Sequence, residues 1–390
     1  MRVLQVVEPG IDGVFRHVEG LVLYLIGSGV EVHLAYSSQR SSDRLIDLVS
    51  HVGRHGGQTL DLAVGNAPSP RDLRALVALR RLAASIQPDV VHGHSSKAGA
   101  LVRILALSGV AWPCLYTPNA YYGMSGATGP KATLFNSIER WLGRIGTTIN
   151  VSEDEARWAR TFLGLSSSRQ QVIPNAVDVD RFTPGGPTGR ARAREQFSLP
   201  PDAVVIGTAA RMSRQKDPGT LYAAFGEAFR RIPNLWLLHL GRGELADELS
   251  GIAASLGFQD RVRQVPYLSD PRPFYHAIDL FALTSLYEGL SFAILEALSH
   301  RVPLVLTQVP GNAGFGSLNL SHLEFAEPRS PSSVSAALVR MASRIAETPV
   351  CNHRDVAIAH FGPKACFGAI LEAYRAVSGQ HRGPTSNGSR

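Results

Sequence analysis

Two segments of the chain concentrate residue types that can act on a charged leaving group. The first reads Ser-Leu-Tyr-Glu-Gly-Leu-Ser-Phe-Ala-Ile-Leu-Glu-Ala-Leu from Ser285 to Leu298. The strand-like run Leu280 to Thr284 ends just before it and a helical pattern follows, so Glu288 and Gly289 fall in a loop. Ser291 then stands where a helix N-cap belongs. Backbone N–H groups at Leu290, Ser291 and Phe292 would face an anion there, as in a phosphate cradle. Glu296 sits among Ala293, Ile294, Leu295, Ala297 and Leu298. Buried without partners, its carboxylate would cost on the order of several kcal/mol. Ribose hydroxyls, a structural arginine or plain exposure would each resolve that.

The second segment, Ala209 to Pro218, follows the strand-like run ending at Thr208 and carries Arg211 and Lys216 on a loop that enters a helix. Two cations in that position can clamp a diphosphate, the guanidinium as a bidentate fork and the ammonium as a point charge. In open α/β sheets, ligands bind beyond the carboxyl ends of the strands, where helix starts point at the crevice. Both segments lie at such strand ends.

The elements that must position these residues alternate along the whole chain, apolar runs of strand length with amphipathic helical patterns. That alternation predicts an α/β fold with parallel sheets covered on both faces. Strands are expected near Val3 to Val7, Glu31 to Ala35, Asp89 to His92, Cys114 to Thr117 and Thr147 to Val151. A second series falls at Val204 to Thr208, Leu235 to Leu240, Val262 to Val265, Leu280 to Thr284 and Pro303 to Thr307. Val14, Val18, Leu21, Val22 and Leu25 recur at helical spacing, with Gly27 and Gly29 as the stop. A run of Pro and Gly from Thr183 to Pro201 marks the approach to a second domain. The expected division is residues 1–180 and 181–363, with a last helix at 364–377 packing back on the first domain and a disordered tail at 378–390.

At 390 residues the chain exceeds what one core usually organises, and 44% hydrophobic with 18% charged residues describes a folded protein. Cys114, Cys351 and Cys366 are odd in number and widely spaced, which argues against a disulfide framework and fits a reducing cytosol. Met1 to Glu8 enters a strand pattern at once, with no leader of the secretory type. The net charge of +7 comes almost wholly from scattered arginines, the only lysines being Lys97, Lys131, Lys216 and Lys364. Nucleic-acid binding wants a basic cluster interleaved with stacking aromatics, so an anionic substrate or anionic membrane fits better. Arg71, Arg74 and Arg81 fall on one side of an expected helix, which reads equally as a solvated face and as a contact with anionic lipid.

The chain resembles the family 4 glycosyltransferases. The likeness is carried in order by Gly13 to His17, His-Gly-His-Ser-Ser-Lys-Ala-Gly from His92 to Gly99, Asn150 to Ala156, Val172 to Phe182, Arg211 to Lys216, and Glu288 to Glu296. The last is the most specific, two glutamates separated by seven residues. The resemblance implies the GT-B fold, two Rossmann-like domains facing across a central cleft, and a sugar-retaining transfer from a nucleotide diphosphate sugar of UDP or GDP type. It implies no cofactor and no divalent metal, because Arg211 and Lys216 offset the leaving-group charge. Glu288 then lies beside the donor sugar and Glu296 holds the ribose. The phosphates face Gly289, Leu290, Ser291 and Phe292.

Asp178-Val-Asp180 spells a metal-binding triplet, but it lies in a segment resembling the family's interdomain connection, where Asn175 is the residue expected at the donor, together with Gly13. The acceptor falls to the amino-terminal domain: Arg16 and His17 at the first turn, His94 as the best-placed histidine, and Asn119 with Tyr121 after a later strand. Asn119 stands where the family usually has histidine, and asparagine takes no proton near neutral pH. Asn312-Ala-Gly-Phe-Gly replaces the family's usual acidic segment, and Ile11-Asp12 thins the first glycine turn. His94 to Gly99 looks most like bacterial members that build surface polysaccharide, which implies a saccharide or polyprenyl-diphosphate-linked acceptor and a cytoplasmic protein at the inner membrane face. A sugar-nucleotide epimerase of the same fold and a non-catalytic nucleotide-sugar-binding subunit are the competing expectations. A dinucleotide-dependent dehydrogenase is disfavoured because Gly10-Ile-Asp-Gly13 lacks the Gly-x-Gly-x-x-Gly spacing.

Overall fold

The computed structural model describes residues 1–108, 112–348 and 351–381. It divides into two compact units, one formed by Met1–Ala176 together with the stretch from Pro363 onward, the other by Val177–Gly362. Each is a parallel sheet with helices on both faces.

The first unit holds β1 (Arg2–Val7), β2 (Glu31–Tyr36), β3 (Thr59–Asp61), β4 (Val90–His94), β5 (Cys114–Thr117), β6 (Thr147–Asn150) and β7 (Gln170–Val172). Their order is β3-β2-β1-β4-β5-β6-β7. The register on β1 runs from Arg2 opposite Glu31 on one side and from Val3 opposite Val90 on the other. Because side chains alternate along a strand, Val3 and Val7 join one core and Leu4 and Val6 the other. Helices Asp12–Gly27, Asp43–Arg54 and Pro363–His381 feed the first of these cores, and helices Arg71–Ile86 and Ser95–Leu107 the second.

The second unit holds β8 (Val204–Ala209), β9 (Leu235–Leu240), β10 (Val262–Val265), β11 (Leu280–Leu283), β12 (Leu304–Thr307) and β13 (Leu323–Ala326), in the order β10-β9-β8-β11-β12-β13. Phe281 and Leu283 face one core while Leu280 and Ala282 face the other, so this sheet too is apolar on both sides. Each fully buried Leu, Val or Phe contributes about 1.5–3 kcal/mol. Both sheets reverse their strand order once, between β1 and β4 in the first and between β8 and β11 in the second, and these are the topological switch points.

Four differences from the sequence-based expectation stand out. β3, β7 and β13 are strands of three or four residues, too short to show a period. The Pro- and Gly-rich stretch after Thr183 forms a helix, Gly186–Gln196. It lacks an apolar stripe because it docks through arginines: Arg194 donates to Asp279 at 2.8 Å and to the Pro201 carbonyl at 2.6 Å, and Arg190 also pairs with Asp279. The break between units falls at Ala176–Val177, since Val177, Val179 and Phe182 already bury into the second unit. The last helix continues through Ser378, whose hydroxyl bonds the Arg375 carbonyl at 3.1 Å, to His381. The rest of the expected tail, 382–390, lies outside the described residues.

Cys114, Cys351 and Cys366 are free and buried. Among the described residues no helix is long and apolar enough to cross a membrane.

Candidate functional site

In the second unit, β8 and β11 run side by side, so the loops leaving their carboxyl ends, 210–217 and 284–291, emerge together at the switch point. Three hydrogen bonds tie them: Leu286 N–H to the Gln215 carbonyl at 2.8 Å, the Gln215 amide to the Tyr287 carbonyl at 3.2 Å, and the Thr284 hydroxyl to the Asp217 carbonyl at 2.8 Å. On this frame Lys216 Nζ meets Glu288 Oε1 at 2.5 Å, and the Ser285 hydroxyl donates to the same oxygen at 2.5 Å. Glu288 is further fixed by its N–H, which donates to the Pro310 carbonyl at 3.0 Å. Gly311 makes that approach feasible. With φ of +87°, it passes so close that a Cβ would lie 2.3 Å from the Glu288 carbonyl oxygen. Arg211 is exposed on the same β8 loop.

The helix that follows, Phe292–Ser299, has Ser291 as its N-cap, in extended backbone. Contrary to the expectation from sequence, the Ser291 hydroxyl makes no cap bond. The leading amides of that turn have no acceptor within the helix and keep the partial positive charge of a helix start. Glu296 is buried and accepts the Tyr275 hydroxyl at 2.7 Å, with the Tyr275 ring stacked on His300 at 4.9 Å. The two glutamates thus have different neighbours, Lys216 and Ser285 for one and a tyrosine for the other. Asn312 is fully buried and donates to the Thr307 carbonyl at 3.1 Å, closing the end of β12.

In the first unit, the switch point gathers His17 from the first helix and His92 and His94 from β4, all fully buried. The His92 and His94 rings lie with centroids 4.0 Å apart, tilted by 41°, and the His17 ring lies 5.3 Å from that of His94. A directional chain of hydrogen bonds runs through them. His94 Nε2 donates to Gln5 Oε1 at 2.7 Å, and Gln5 Nε2 donates to the Tyr374 hydroxyl at 3.0 Å. Accepting that bond on its oxygen, the Tyr374 hydroxyl donates to His92 Nδ1 at 2.6 Å, and His92 Nε2 donates to the Thr117 hydroxyl at 2.9 Å. His94 Nδ1 is left as a bare lone pair, buried with no partner among the described residues. Burial pushes His17 down to about 4, with Asn175 opposing the shift, and holds His92 and His94 well below the usual imidazole range. All three are thereby held as neutral rings, and His92 and His94 orient their neighbours by hydrogen bonds. His94 is poorly suited to storing a proton.

Asn119 follows β5 in left-handed backbone, φ 54°, as does Ala120 at 81°. That unusual turn is clamped by Glu155, which is buried and accepts the N–H groups of Ala120 at 2.6 Å and Val151 at 2.7 Å. Burial pushes the Glu155 carboxyl up to about 7 against those two hydrogen bonds. Tyr121, expected to meet the acceptor, is a core residue instead: it is buried, stacks on Trp158 at 5.4 Å and donates to Asn150 at 3.3 Å. An aromatic beside Trp158 gains more from burial than from exposure. Gly99 carries part of the same packing, since a Cβ there would lie 2.2 Å from the Tyr116 ring. Gly13 and half-buried Arg16 lie in the first turns of helix Asp12–Gly27, and Asn175 is buried beside His17. These belong to the first unit. Asp178 and Asp180 are exposed, and Asp178 accepts the Arg181 N–H at 3.1 Å, a turn-closing role.

Sequence reasoning missed Gln5, Thr117, Tyr374, Glu155, Ser285 and Tyr275. Most become significant only through a partner distant in the chain, as with Tyr374 and His92, 282 residues apart, whereas Ser285 acts on Glu288 three residues on. The one signal available was the polar Gln5 inside an otherwise apolar strand.

The model for Glycosyltransferase Family 4 matches residues 11–181, and that for Glycosyl transferases group 1 matches residues 189–337. The chain is 29% identical over 252 residues to the UDP-Gal:alpha-D-GlcNAc-diphosphoundecaprenol alpha-1,3-galactosyltransferase of Escherichia coli, covering 62% of this chain and 63% of that one. It is 37% identical over 130 residues to the lipopolysaccharide core biosynthesis glycosyltransferase LpsE of Rhizobium meliloti, covering 33% and 37%. The matched stretches span less than two thirds of either relative. Among solved structures, Anabaena Alr3699/HepE in complex with UDP and glucose superposes with a TM-score of 0.80 at 16% identity, over 96% of this chain and all of the other. WaaG, a glycosyltransferase involved in lipopolysaccharide biosynthesis, superposes with a TM-score of 0.73 at 14% identity, over 97% of this chain. The fold of each unit and their order in the chain are those of GT-B proteins.

Proposed function

Because the chain belongs to family 4 of the glycosyltransferases, we propose that it transfers a sugar from a nucleotide diphosphate donor to a saccharide or lipid-linked saccharide in cell-surface polysaccharide biosynthesis. The observation that carries this reading is the Lys216–Glu288 pair at the second switch point, set between a helix start and the Arg211 loop. Lys216 and Arg211 offset the charge that grows on the departing diphosphate, helped by the amides of Gly289, Leu290, Ser291 and Phe292. Glu288, held by Ser285 and the Pro310 carbonyl, lies beside the donor sugar, and Glu296 anchors the ribose.

With these fixed positive groups doing the work a divalent cation does elsewhere, the transfer needs no metal. Glu288 Oε1 is engaged by Lys216 and Ser285, which supports a transfer without a protein nucleophile: the acceptor hydroxyl attacks from the leaving-group face, a phosphate oxygen takes its proton, and configuration is retained. In the first unit, half-buried Arg16 and Asn119 meet the acceptor, and the buried rings of His17 and His94 back that pocket and set its polarity. The E. coli relative's name supports a UDP-type donor and a polyprenyl-diphosphate-linked acceptor, and transfer onto such an acceptor would take place at the inner face of the membrane.

The test is a thermal-shift screen of UDP-, GDP- and ADP-sugars on the full chain, followed by incubation with and without lipid-linked saccharides. One nucleotide class should raise the melting temperature, and product should form only when acceptor is present. A new nucleotide sugar appearing from donor alone would make the protein an epimerase, and binding without turnover across the acceptor panel would make it a binding subunit.

A further inference from the structure

We propose that the first unit docks on an anionic lipid surface through helices Pro130–Leu142 and Glu153–Leu163, with a phosphate headgroup seated among Arg140, Arg144 and Arg169.

Helix Pro130–Leu142 buries Ala132, Glu139 and Leu142 and turns the opposite face outward. On that face Leu134 is 58% exposed, Ile138 37% and Trp141 54%, at spacings of four and three residues that align them in one stripe. Phe162, 59% exposed, adds a fourth large apolar side chain at the end of the neighbouring helix. Single exposed apolar residues are ordinary on a soluble surface. A tryptophan and an isoleucine aligned with a leucine along one helix, where the polar stripe of a surface helix belongs, are not.

Basic groups border this patch. Lys131 heads the stripe, with its ammonium 5.8 Å from the ring centre of Tyr122. Beyond it lies an open hollow of about 360 Å³ whose lining includes Arg140, Arg144, Phe162, Ser166 and Arg169 and contains no carboxylate. Arg140 is set over the helix end by a hydrogen bond of 3.0 Å from its guanidinium to the Phe162 carbonyl. Among the described residues no carboxylate pairs with any of these three arginines. Three unneutralised guanidiniums beside exposed Trp and Phe match the two layers of a membrane interface, the arginines at headgroup level and the aromatics at the acyl boundary. A surface made for an acidic protein would not need the apolar stripe, and one made for a second copy would not need the uncompensated charge.

The helix Arg71–Ile86, where the sequence suggested lipid contact, also exposes Arg71, Arg74 and Arg81. It serves as the internal comparison. The proposal rests on the reading of a lipid-linked acceptor for its purpose, but its test does not use transfer.

The test is sedimentation of the full chain with vesicles of phosphatidylcholine alone or with about 30% phosphatidylglycerol, a density at which each arginine near the surface raises binding about fivefold. The chain should bind the anionic vesicles and not the neutral ones. Arg140→Gln/Arg144→Gln/Arg169→Gln and, separately, Trp141→Ser/Phe162→Ser should each weaken binding by about tenfold or more, while Arg71→Gln/Arg74→Gln/Arg81→Gln should stay within about twofold. Unchanged donor-induced thermal shifts would show that the variants fold and would judge the sugar-transfer reading separately. Absence of wild-type binding to anionic vesicles, or loss confined to the Arg71 set, overturns the proposal. So does a dimer in sedimentation velocity that Trp141→Ser disperses, since the patch would then belong to a second copy.

Discussion

The two switch points occupy equivalent places in equivalent sheets and yet differ in electrical character. Between β8 and β11, Lys216 and Glu288 retain 16% and 6% of their side-chain exposure and meet as an ion pair on loops. Between β1 and β4, His17, His92 and His94 are sealed, their charged forms disfavoured by burial, and two of them are wired by neutral hydrogen bonds to Tyr374, Gln5 and Thr117. The lesson concerns burial more than residue type. A titratable side chain left near water can serve as a charge, whereas one sealed within a sheet serves as a dipole. That is the division of labour expected if the second unit handles an anionic leaving group and the first a neutral hydroxyl.

The sharpest way to break this contrast is Lys216→Ala, which removes the charge at the second switch point. Turnover should fall by about ten- to a thousandfold with donor and acceptor saturating. Unchanged turnover would strip Lys216 of its role. Next comes Tyr374→Phe, which takes the proton from His92 Nδ1 and the acceptor from Gln5. Chemical denaturation should show a loss of about 1–3 kcal/mol, and a change below about 0.5 kcal/mol would mean that the neutral network contributes little.

Glu155 probes the same principle through pH. Its folded pKa of about 7 lies above the ordinary 4.5, so between those values the folded state holds a proton the unfolded state has lost. The contribution of Glu155 to stability is therefore fully present below about 4.5, declines as pH rises through 7, and is lowest above it, with a slope of at most about 1.4 kcal/mol per pH unit. His17 works the other way, its folded pKa of about 4 favouring the native state as pH rises towards 6.5. The measurement is thus the difference between the wild-type and Glu155→Gln stability curves, which should tilt downward from pH 5 to 8. A flat difference would place the carboxylate in a fully ionised clamp. The smallest expected effect is that of Asp178→Ala/Asp180→Ala with a chelator present, where turnover should stay within about twofold and stability within about 0.5 kcal/mol. A large loss on chelation would restore the metal reading that the exposed pair otherwise leaves unsupported.

Local pattern was enough for the alternating strands and helices, the loops at 210–217 and 284–291, and the pair of glutamates spaced by seven, because these are statements about neighbours in sequence. Period-two and helical spacings survive in one dimension, as does a cation on a loop before a helix. The short strands β3, β7 and β13 and the arginine-docked helix at 186–196 left no such trace, since their stability comes from partners far along the chain. Tyr121 shows the limit most directly: beside Asn119 it reads as a surface aromatic, and only packing against Trp158 makes it core. The sequence by itself determined two parallel sheets and the chemistry available at their strand ends. Only the tertiary structure decided which of those side chains are charged, because desolvation depends on the three-dimensional neighbours that exclude water, and sequence spacing does not encode them.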